Sequence, residues 1–383
     1  MINRSLGPLY EKLDTAHDQM RSARTPEERL AMANYIGNIY RSLICMGDAD
    51  IQVDRYRCFG GRKNYNKFIK KLDVYSDQLL HNFVMCKDFH ADYLGEILPS
   101  VEEEMSEFCC MAFPEEEALS EKDFFELYYL FLDSLGLAKQ FDEFYKNCHV
   151  HSTIVGQDKG NLGFTLYNPL SGETDLFVKD MKFTFSCMNT LAHEFGHGMD
   201  LKGFTGDVEE YNRYFYLSFY GEVFSRLMER LLHRYFLKNG LMIDTVKDKF
   251  IDFESLNHDF LLQSYILSLL DSTFLLNERY MDGDSETIAN KVKKHFLDDA
   301  DIKGFLERME HIDLSESFTY AYGDILSLFL CDEVEKCGFS SDLFEYFMKN
   351  RTSIFQEGFL REAGFGPGNY KKLYKKEAEL IKK

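Results

Sequence analysis

The chain contains a five-residue segment, His193-Glu194-Phe195-Gly196-His197, that matches the pattern H-E-x-x-H. On a helix, residues four positions apart lie on one face, about one turn apart. His193 and His197 can therefore bind a single metal ion through their imidazoles. Glu194 points to the side, where it can act on a water molecule instead of the metal. The other interpretation of this spacing is a surface helix with two ordinary histidines.

A catalytic zinc site takes three protein ligands and keeps one position open for water. Glu222 is the candidate third ligand, 25 residues after His197 and surrounded by aromatic and aliphatic residues. A carboxylate is costly to bury there unless it is paired or bound to a metal. Glu229 follows seven residues later on the same helical face, and it could accept the outer N–H of a metal-binding histidine. The alternative is that Glu222 and Glu229 lie on a solvated stripe.

These two motifs together resemble a known family. HEFGH followed at this distance by E-x-x-S-x-x-x-E, here Glu222, Ser225 and Glu229, resembles the thimet oligopeptidase and oligoendopeptidase F family of zinc peptidases. The glycine-containing segment at 156–178 and the tyrosine-rich segment at 318–323 resemble the same family. The resemblance extends from about residue 150 to residue 383, and before that it is limited to helical character.

The resemblance implies a role for each residue that matches the zinc motifs. It implies that His193, His197 and Glu222 bind one Zn²⁺ ion per chain. It implies Glu194 as the general base and acid of the reaction. Glu229 is expected to fix the orientation of one metal-binding histidine.

The family also places a tyrosine and a histidine near the oxyanion that forms during peptide hydrolysis. On this sequence the matching residues are Tyr320 or Tyr322, and His311, although the spacing between His311 and the tyrosines departs from the family's pattern. Packing is the other interpretation of the two tyrosines. As a whole, the resemblance implies a mainly α, zincin-like peptidase with helical lobes around a substrate cleft. The implied activity is zinc-dependent hydrolysis of peptide bonds in short oligopeptides.

Apolar periodicity predicts the elements that must position these residues. A helix over 185–201 is expected to carry HEFGH, and an aromatic-rich helix over 209–236 is expected to carry Glu222 and Glu229. Two short extended runs between glycines predict a small sheet at 160–180, directly before the first of these helices. An exposed edge of that sheet could pair with an extended peptide.

The rest of the sequence indicates one peptidase domain over 1–383, with a helical lobe at 1–150 and a catalytic lobe at 151–383. Apolar residues recur at helical spacing through the first lobe. Pro99 is expected to punctuate its helices. No internal repeat or low-complexity linker separates the two lobes.

Composition limits the function classes. Of 383 residues, 45% are hydrophobic, which is a globular value, and the formal net charge is −20. A surface this acidic repels nucleic acids and anionic membranes, so we expect neither as a partner. The 9 cysteines are scattered and the N-terminus has no apolar signal region, so we expect a cytoplasmic protein with reduced thiols. The sequence does not specify an oligomeric state.

Two departures from the family's pattern concern the substrate and not the metal. Asp200 occupies the position, three residues after the second histidine ligand, where the family usually carries a histidine. Fewer residues precede HEFGH than in the family, which predicts a shorter N-terminal lobe and a more open channel.

Three other functions are compatible with parts of the pattern. A different zincin would use Asp207, ten residues after His197, as the third ligand. A di-iron helix bundle needs two Glu-x-x-His pairs, and the sequence supplies one, Glu194 to His197. A non-catalytic protein of the same fold would keep zinc and bind a peptide or a partner protein.

Overall fold

The computed structural model describes residues 2–3, 5–46, 61–108, 116–152, 163–179, 181–269, 314–352 and 357–382. Helices make up most of these ranges and a small sheet lies among them, so the predicted mainly α fold with a small sheet is confirmed. In the described part of the chain, no helix combines the length and the apolar character that crossing a bilayer requires.

The helices are, in chain order, α1 (Gly7–Ser22), α2 (Pro26–Cys45), α3 (Arg62–Phe108), α4 (Glu121–Ser134), α5 (Ala138–Tyr145), α6 (Phe185–Leu201), α7 (Val208–Leu217), α8 (Val223–Lys238), α9 (Ile243–Leu269), α10 (Leu314–Cys337), α11 (Asp342–Asn350), α12 (Glu357–Glu362) and α13 (Pro367–Lys382). The strands are β1 (Ile2–Asn3), β2 (Val150–Ser152), β3 (Gly163–Tyr167) and β4 (Thr174–Val178).

The chain forms two compact units. The first unit comprises Met1–Val74, Phe113–Tyr216 and Phe224–Val246, and the second comprises Tyr75–Ala112, Leu217–Val223 and Lys247–Lys383. Each unit takes ranges from both sides of residue 150, so the units do not follow the predicted lobe boundary.

In the first unit, α2 begins with a capping box. Thr25 Oγ1 accepts from the Glu28 backbone N–H at 3.1 Å, and the Glu28 carboxylate accepts from the Thr25 backbone N–H at 3.2 Å. The apolar faces of α1 and α2 then pack together in a buried cluster that also contains Leu166 of β3 and Phe177 of β4. The two N-terminal helices therefore cover one face of the sheet.

The sheet has the order β1-β2-β4-β3. Strands β1, β2 and β4 pair in parallel, and β3 pairs antiparallel to β4 with Thr165 opposite Leu176. The predicted sheet at 160–180 corresponds to β3 and β4, but β1 joins it from the lobe predicted as helical and β2 joins it from the predicted boundary at residue 150. Their pairing is non-local, so no short-range turn signal marks it. Helix α6 packs on β3 and β4.

The helix predicted over 209–236 is wrong as a single element, because α7 ends at Leu217 and α8 begins at Val223. Ser218 explains the break. Its hydroxyl accepts from the Tyr220 backbone N–H at 3.0 Å and donates to the Arg351 carbonyl at 2.8 Å. A serine bonded in this way competes with helical hydrogen bonding.

Pro99 does not end a helix, contrary to the sequence prediction. It lies inside α3, which runs 47 residues from Arg62 to Phe108. A proline in a helix interior removes one backbone hydrogen bond and crowds the preceding turn. The neighbouring side chains of Ile97, Leu98 and Val101 are fully buried, so packing offsets that loss.

The second unit has α10 at its centre. Packing against α11 and α13 leaves most of α10 buried. Asp324 of α10 accepts from Asn257 Nδ2 at 2.7 Å and from the Tyr370 hydroxyl at 3.4 Å, so this buried carboxylate is hydrogen-bonded.

Candidate metal centre

Helix α6 spans Phe185–Leu201, the range predicted from the sequence. Its N-cap is Thr184, whose hydroxyl accepts from the Cys187 backbone N–H at 3.3 Å. HEFGH lies in the second half of this helix, so the spacing of its two histidines is set by regular helical geometry.

The two histidine rings converge on one point. The Nε2 atoms of His193 and His197 lie 3.2 Å apart, and the rings are nearly perpendicular, at 79°. Two nitrogens bound to one tetrahedral zinc at the usual bond lengths are separated by about 3.3 Å. The pair therefore fits zinc without adjustment of the helix.

Glu222, the predicted third ligand, belongs to the second unit, whereas His193 and His197 belong to the first. Its role as a ligand stays a prediction. Glu222 is the last residue of the break between α7 and α8, directly before α8 begins. Within the second unit, Gly323 packs on Glu222, because a Cβ at position 323 would lie 2.7 Å from the Glu222 Cβ. A larger residue at 323 would clash with the Cβ and the backbone of Glu222.

Glu229 of α8 contacts the outer nitrogen of His193. Its Oε2 lies 3.2 Å from His193 Nδ1 and accepts from Arg226 Nη1 at 2.8 Å, while its Oε1 accepts from Asn189 Nδ2 at 2.7 Å. Burial would raise the pKa of the Glu229 carboxyl, but the charge of Arg226 and the hydrogen bond with His193 lower it to about 2. A carboxylate in this position accepts the Nδ1 proton of His193 and leaves the Nε2 lone pair for a metal.

Asn189 and Arg226 were missed at the sequence level, although each has a local signal. Asn189 lies one turn before His193 on α6, and Arg226 lies one turn before Glu229 on α8. Residues one turn apart share a helix face. A search of the faces that carry the ligands would have found both residues, but it would not have shown that they meet at one carboxylate.

Two glycines in α6 allow its close packing. A Cβ on Gly196 would lie 2.7 Å from Ser225 Cα and 2.8 Å from the Phe224 carbonyl oxygen, so α6 and α8 are in backbone contact there. A Cβ on Gly198 would meet only side-chain atoms, 3.2 Å from Leu176 Cδ2. The α6–α8 contact brings Glu229 within reach of His193.

Glu194 is buried, with 3% of its surface exposed, and strand β3 holds its carboxylate. Thr165 Oγ1 lies 2.8 Å from Glu194 Oε2 and 2.9 Å from the Glu194 carbonyl oxygen. A Cβ on Gly163 would lie 2.7 Å from Glu194 Oε1. Sequence analysis missed both β3 residues, since nothing in the extended run indicates which face meets α6.

The three candidates for oxyanion stabilisation differ in their surroundings. Tyr322 is fully buried in the second unit, and its hydroxyl lies 2.6 Å from His90 Nδ1. Burial lowers the pKa of His90 to about 3, so this imidazole is neutral. Tyr320 is partly exposed and stacks on Phe260 at 4.5 Å between ring centroids. His311 lies outside the described residues.

The two aspartates considered after HEFGH are engaged elsewhere. Asp200 is buried and accepts from the Tyr214 hydroxyl of α7. Asp207 is exposed at the start of α7, where its Oδ1 accepts from the Glu210 backbone N–H at 3.1 Å. Across the described ranges, Asp207 joins no group of potential metal ligands.

A second group of potential ligands contains His149, Glu173 and Asp175. Here Lys12 supplies the positive charge, because its ammonium pairs with Glu173 and lies 3.1 Å from Asp175 Oδ2. His149 Nδ1 and His151 Nε2 lie 2.9 and 2.8 Å from Asp175 Oδ1. Burial would raise the pKa of Asp175, but these histidine bonds and Lys12 hold it well below its usual range. Asp175 is therefore a buried carboxylate whose charge is compensated by Lys12 and hydrogen-bonded by two histidines.

Comparison with known proteins supports the fold. The chain matches no protein-family model, and no curated protein matches its sequence. Among solved structures it is similar to the crystal structure of a protein from Bacillus anthracis str. Ames, described provisionally as an oligoendopeptidase F. The TM-score is 0.50 at 14% sequence identity, with 96% of this chain and 69% of that chain covered. At this identity the likeness establishes the fold alone.

Proposed function

We propose that the protein is a zinc-dependent metalloendopeptidase that hydrolyses peptide bonds in short oligopeptides. The observation that carries the proposal is the 3.2 Å separation of the His193 and His197 Nε2 atoms, with the carboxylate of Glu194 buried on the same helix. The set His–His–carboxylate, with a further carboxylate beside the first histidine, is typical of catalytic zinc sites. The fold shared with the Bacillus anthracis protein supports the choice of peptide as substrate.

His193, His197 and Glu222 are the residues that would hold one zinc ion per chain. Zinc bound there would polarise the scissile carbonyl and lower the pKa of a water molecule. Glu229 accepts the Nδ1 proton of His193 and so keeps the ligand nitrogen directed inward. Asn189 and Arg226 in turn fix the orientation of Glu229.

Glu194 moves the protons of the reaction. It takes a proton from the attacking water while the new C–O bond forms, and it delivers that proton to the amide nitrogen while the C–N bond breaks. A tyrosine hydroxyl, from Tyr320 or Tyr322, and His311 would donate to the developing oxyanion. Tyr320 is the better of the two tyrosines, because the Tyr322 hydroxyl is buried against His90.

The first test is a digest of a peptide library by the purified protein, read by mass spectrometry with and without a zinc chelator. Chelator-sensitive cuts inside short peptides, and none in folded proteins, are the expected result. No cuts from a protein that holds one zinc ion per chain would favour the alternative, a non-catalytic zinc protein that binds a peptide or a partner.

Two substitutions test the assigned roles. Glu194→Gln should keep the metal and lose about 10²- to 10⁴-fold in kcat, whereas Glu126→Gln on the exposed face of α4 should change neither. Full turnover by Glu194→Gln contradicts the mechanism. Glu222→Ala should weaken zinc binding while Asp207→Ala does not, and the reverse pattern would identify Asp207 as the third ligand.

A further inference from the structure

Strand β3 presents its two faces to different parts of the first unit. Phe164 and Leu166 pack with the apolar cluster of α1 and α2. Successive side chains of a strand point to opposite faces, so Gly163 and Thr165 lie on the other face. That face meets α6, because Leu176, which is paired with Thr165, is the side chain nearest to Gly198 of α6. The alternation of β3 therefore directs Thr165 toward the helix that carries HEFGH.

The strand contacts both carboxylate oxygens of Glu194. On one side, Thr165 Oγ1 donates to Oε2 across 2.8 Å. On the other side, Oε1 occupies the space above Gly163, where any Cβ would approach it to 2.7 Å. The same Cβ would also lie 2.7 Å from the Phe177 carbonyl oxygen, so backbone and carboxylate together exclude a side chain at position 163.

We propose that Thr165 is a positioning residue for Glu194. The hydroxyl of Thr165 holds Oε2 in place and so fixes the plane of the Glu194 carboxylate. Oε1, the other oxygen, lies above Gly163 and is the one that takes and gives the proton. This inference rests on the proposed peptidase function. It extends that function, because the general base Glu194 is oriented by the edge strand β3 as well as by its own helix α6.

A hydroxyl suits this task because it can change acceptor without moving. While Glu194 is a carboxylate, the Thr165 O–H donates to Oε2, which is the stronger acceptor. Once Oε1 carries the proton taken from water, Oε2 becomes a weaker acceptor and the backbone oxygen of Glu194 competes for the same O–H. Both oxygens already lie within 2.9 Å of Oγ1, so the exchange requires only rotation about the Cβ–Oγ1 bond.

The test compares Thr165→Val, which removes the hydroxyl with little change of shape, with Thr165→Ser, which keeps it. Thr165→Val should lower kcat about 10²-fold, because a misplaced catalytic group costs about that much. KM and the zinc content per chain should stay unchanged. Thr165→Ser should recover most of the lost kcat. Thr190→Val is the matched control, since the Thr190 hydroxyl donates to the Ser186 carbonyl at 3.1 Å and not to Glu194.

A wild-type kcat in Thr165→Val, or a Thr165→Ser variant as impaired as Thr165→Val, overturns the inference. A wild-type protein that cuts no peptide is a separate result, which contradicts the proposed function. In that case crystal structures of the wild type and of Thr165→Val decide the positioning role. A Glu194 carboxylate that turns away in the variant supports the inference, and one in the same place overturns it.

Discussion

Replacing Gly196 by alanine places one methyl group between α6 and α8. The new Cβ would lie 2.7 Å from Ser225 Cα, 2.8 Å from the Phe224 carbonyl oxygen and 3.0 Å from the Ser225 nitrogen. Ordinary contact begins at 3.4 Å, so the shortest distance is too small by about 0.7 Å. The atoms in the way belong to the backbone of the neighbouring chain segment, not to a movable side chain, so the two helices must separate.

The separation would act on the proposed zinc site, because α6 carries its two histidines and α8 carries Glu229. His193 on α6 contacts Glu229 on α8 at 3.2 Å, and a shift of this size breaks that contact. Zinc–ligand distances vary by only about 0.2 Å, and loss of the partner behind a ligand histidine costs about 10- to 100-fold in affinity. We expect Gly196→Ala to bind zinc about 100-fold more weakly. Its free energy of unfolding should fall by at most about 2 kcal/mol, because overpacking costs about 1–3 kcal/mol and alanine favours the helix by about 1 kcal/mol.

Zinc affinity is measured by competition with a chromogenic chelator, and stability by urea unfolding of the metal-free protein. Two controls separate the clash from a general effect of alanine. Gly198→Ala in the same helix meets only the ends of the Leu176 and Phe144 side chains, so zinc affinity should change little. Gly37→Ala in α2 meets nothing within 4 Å and should stabilise the fold. Wild-type zinc affinity in Gly196→Ala, or an equal loss in Gly198→Ala, refutes the reasoning.

Four further substitutions test the roles assigned to single side chains. Glu229→Gln should weaken zinc binding about 10- to 100-fold in the chelator competition, because it removes the anion that accepts from His193. Tyr320→Phe should lower kcat about 10²-fold in a peptide assay, whereas Tyr322→Phe should lower the free energy of unfolding by about 1–3 kcal/mol through the lost contact with His90. Asp175→Asn should cost about 3 kcal/mol in urea unfolding at pH 7. Because the folded pKa of Asp175 lies below its unfolded value near 4, its stabilisation is present above that pH and is lost as the pH falls further, so wild type and Asp175→Asn should converge in acid.

The helix at the site and its two histidines were predictable because both depend on local geometry. Apolar spacing and the HEFGH motif together defined α6 as Phe185–Leu201. The break before Glu222 was not predictable in the same way. It depends on a hydrogen bond from Ser218 to the Arg351 carbonyl, a residue 133 positions away in sequence. Local periodicity in the aromatic-rich stretch carries no information about such a partner.

The groups that hold the site residues in place were also beyond sequence reasoning. Glu229 receives hydrogen bonds from both α6 and α8, and only the approach of the two helices brings Asn189 to it. Thr165 depends on the register of β3. A slip of one residue in that strand would turn its side chain to the opposite face. An extended run of five residues specifies its faces only through the elements that pack on them.

The two positions that H-E-x-x-H leaves open are determined here by packing. Phe195 is buried and meets the rings of Phe141 and Phe144 edge to face, at 5.5 and 5.7 Å. Gly196 has no side chain, so the backbone of α8 can pack directly against it. The positions of the histidines on one side of α6 depend on how its other sides are packed. A wider separation from α8 would break the contact between Glu229 and His193. If the two histidines hold zinc as proposed, Gly196 supports them indirectly, because it permits the close approach of α8 that brings Glu229 to His193.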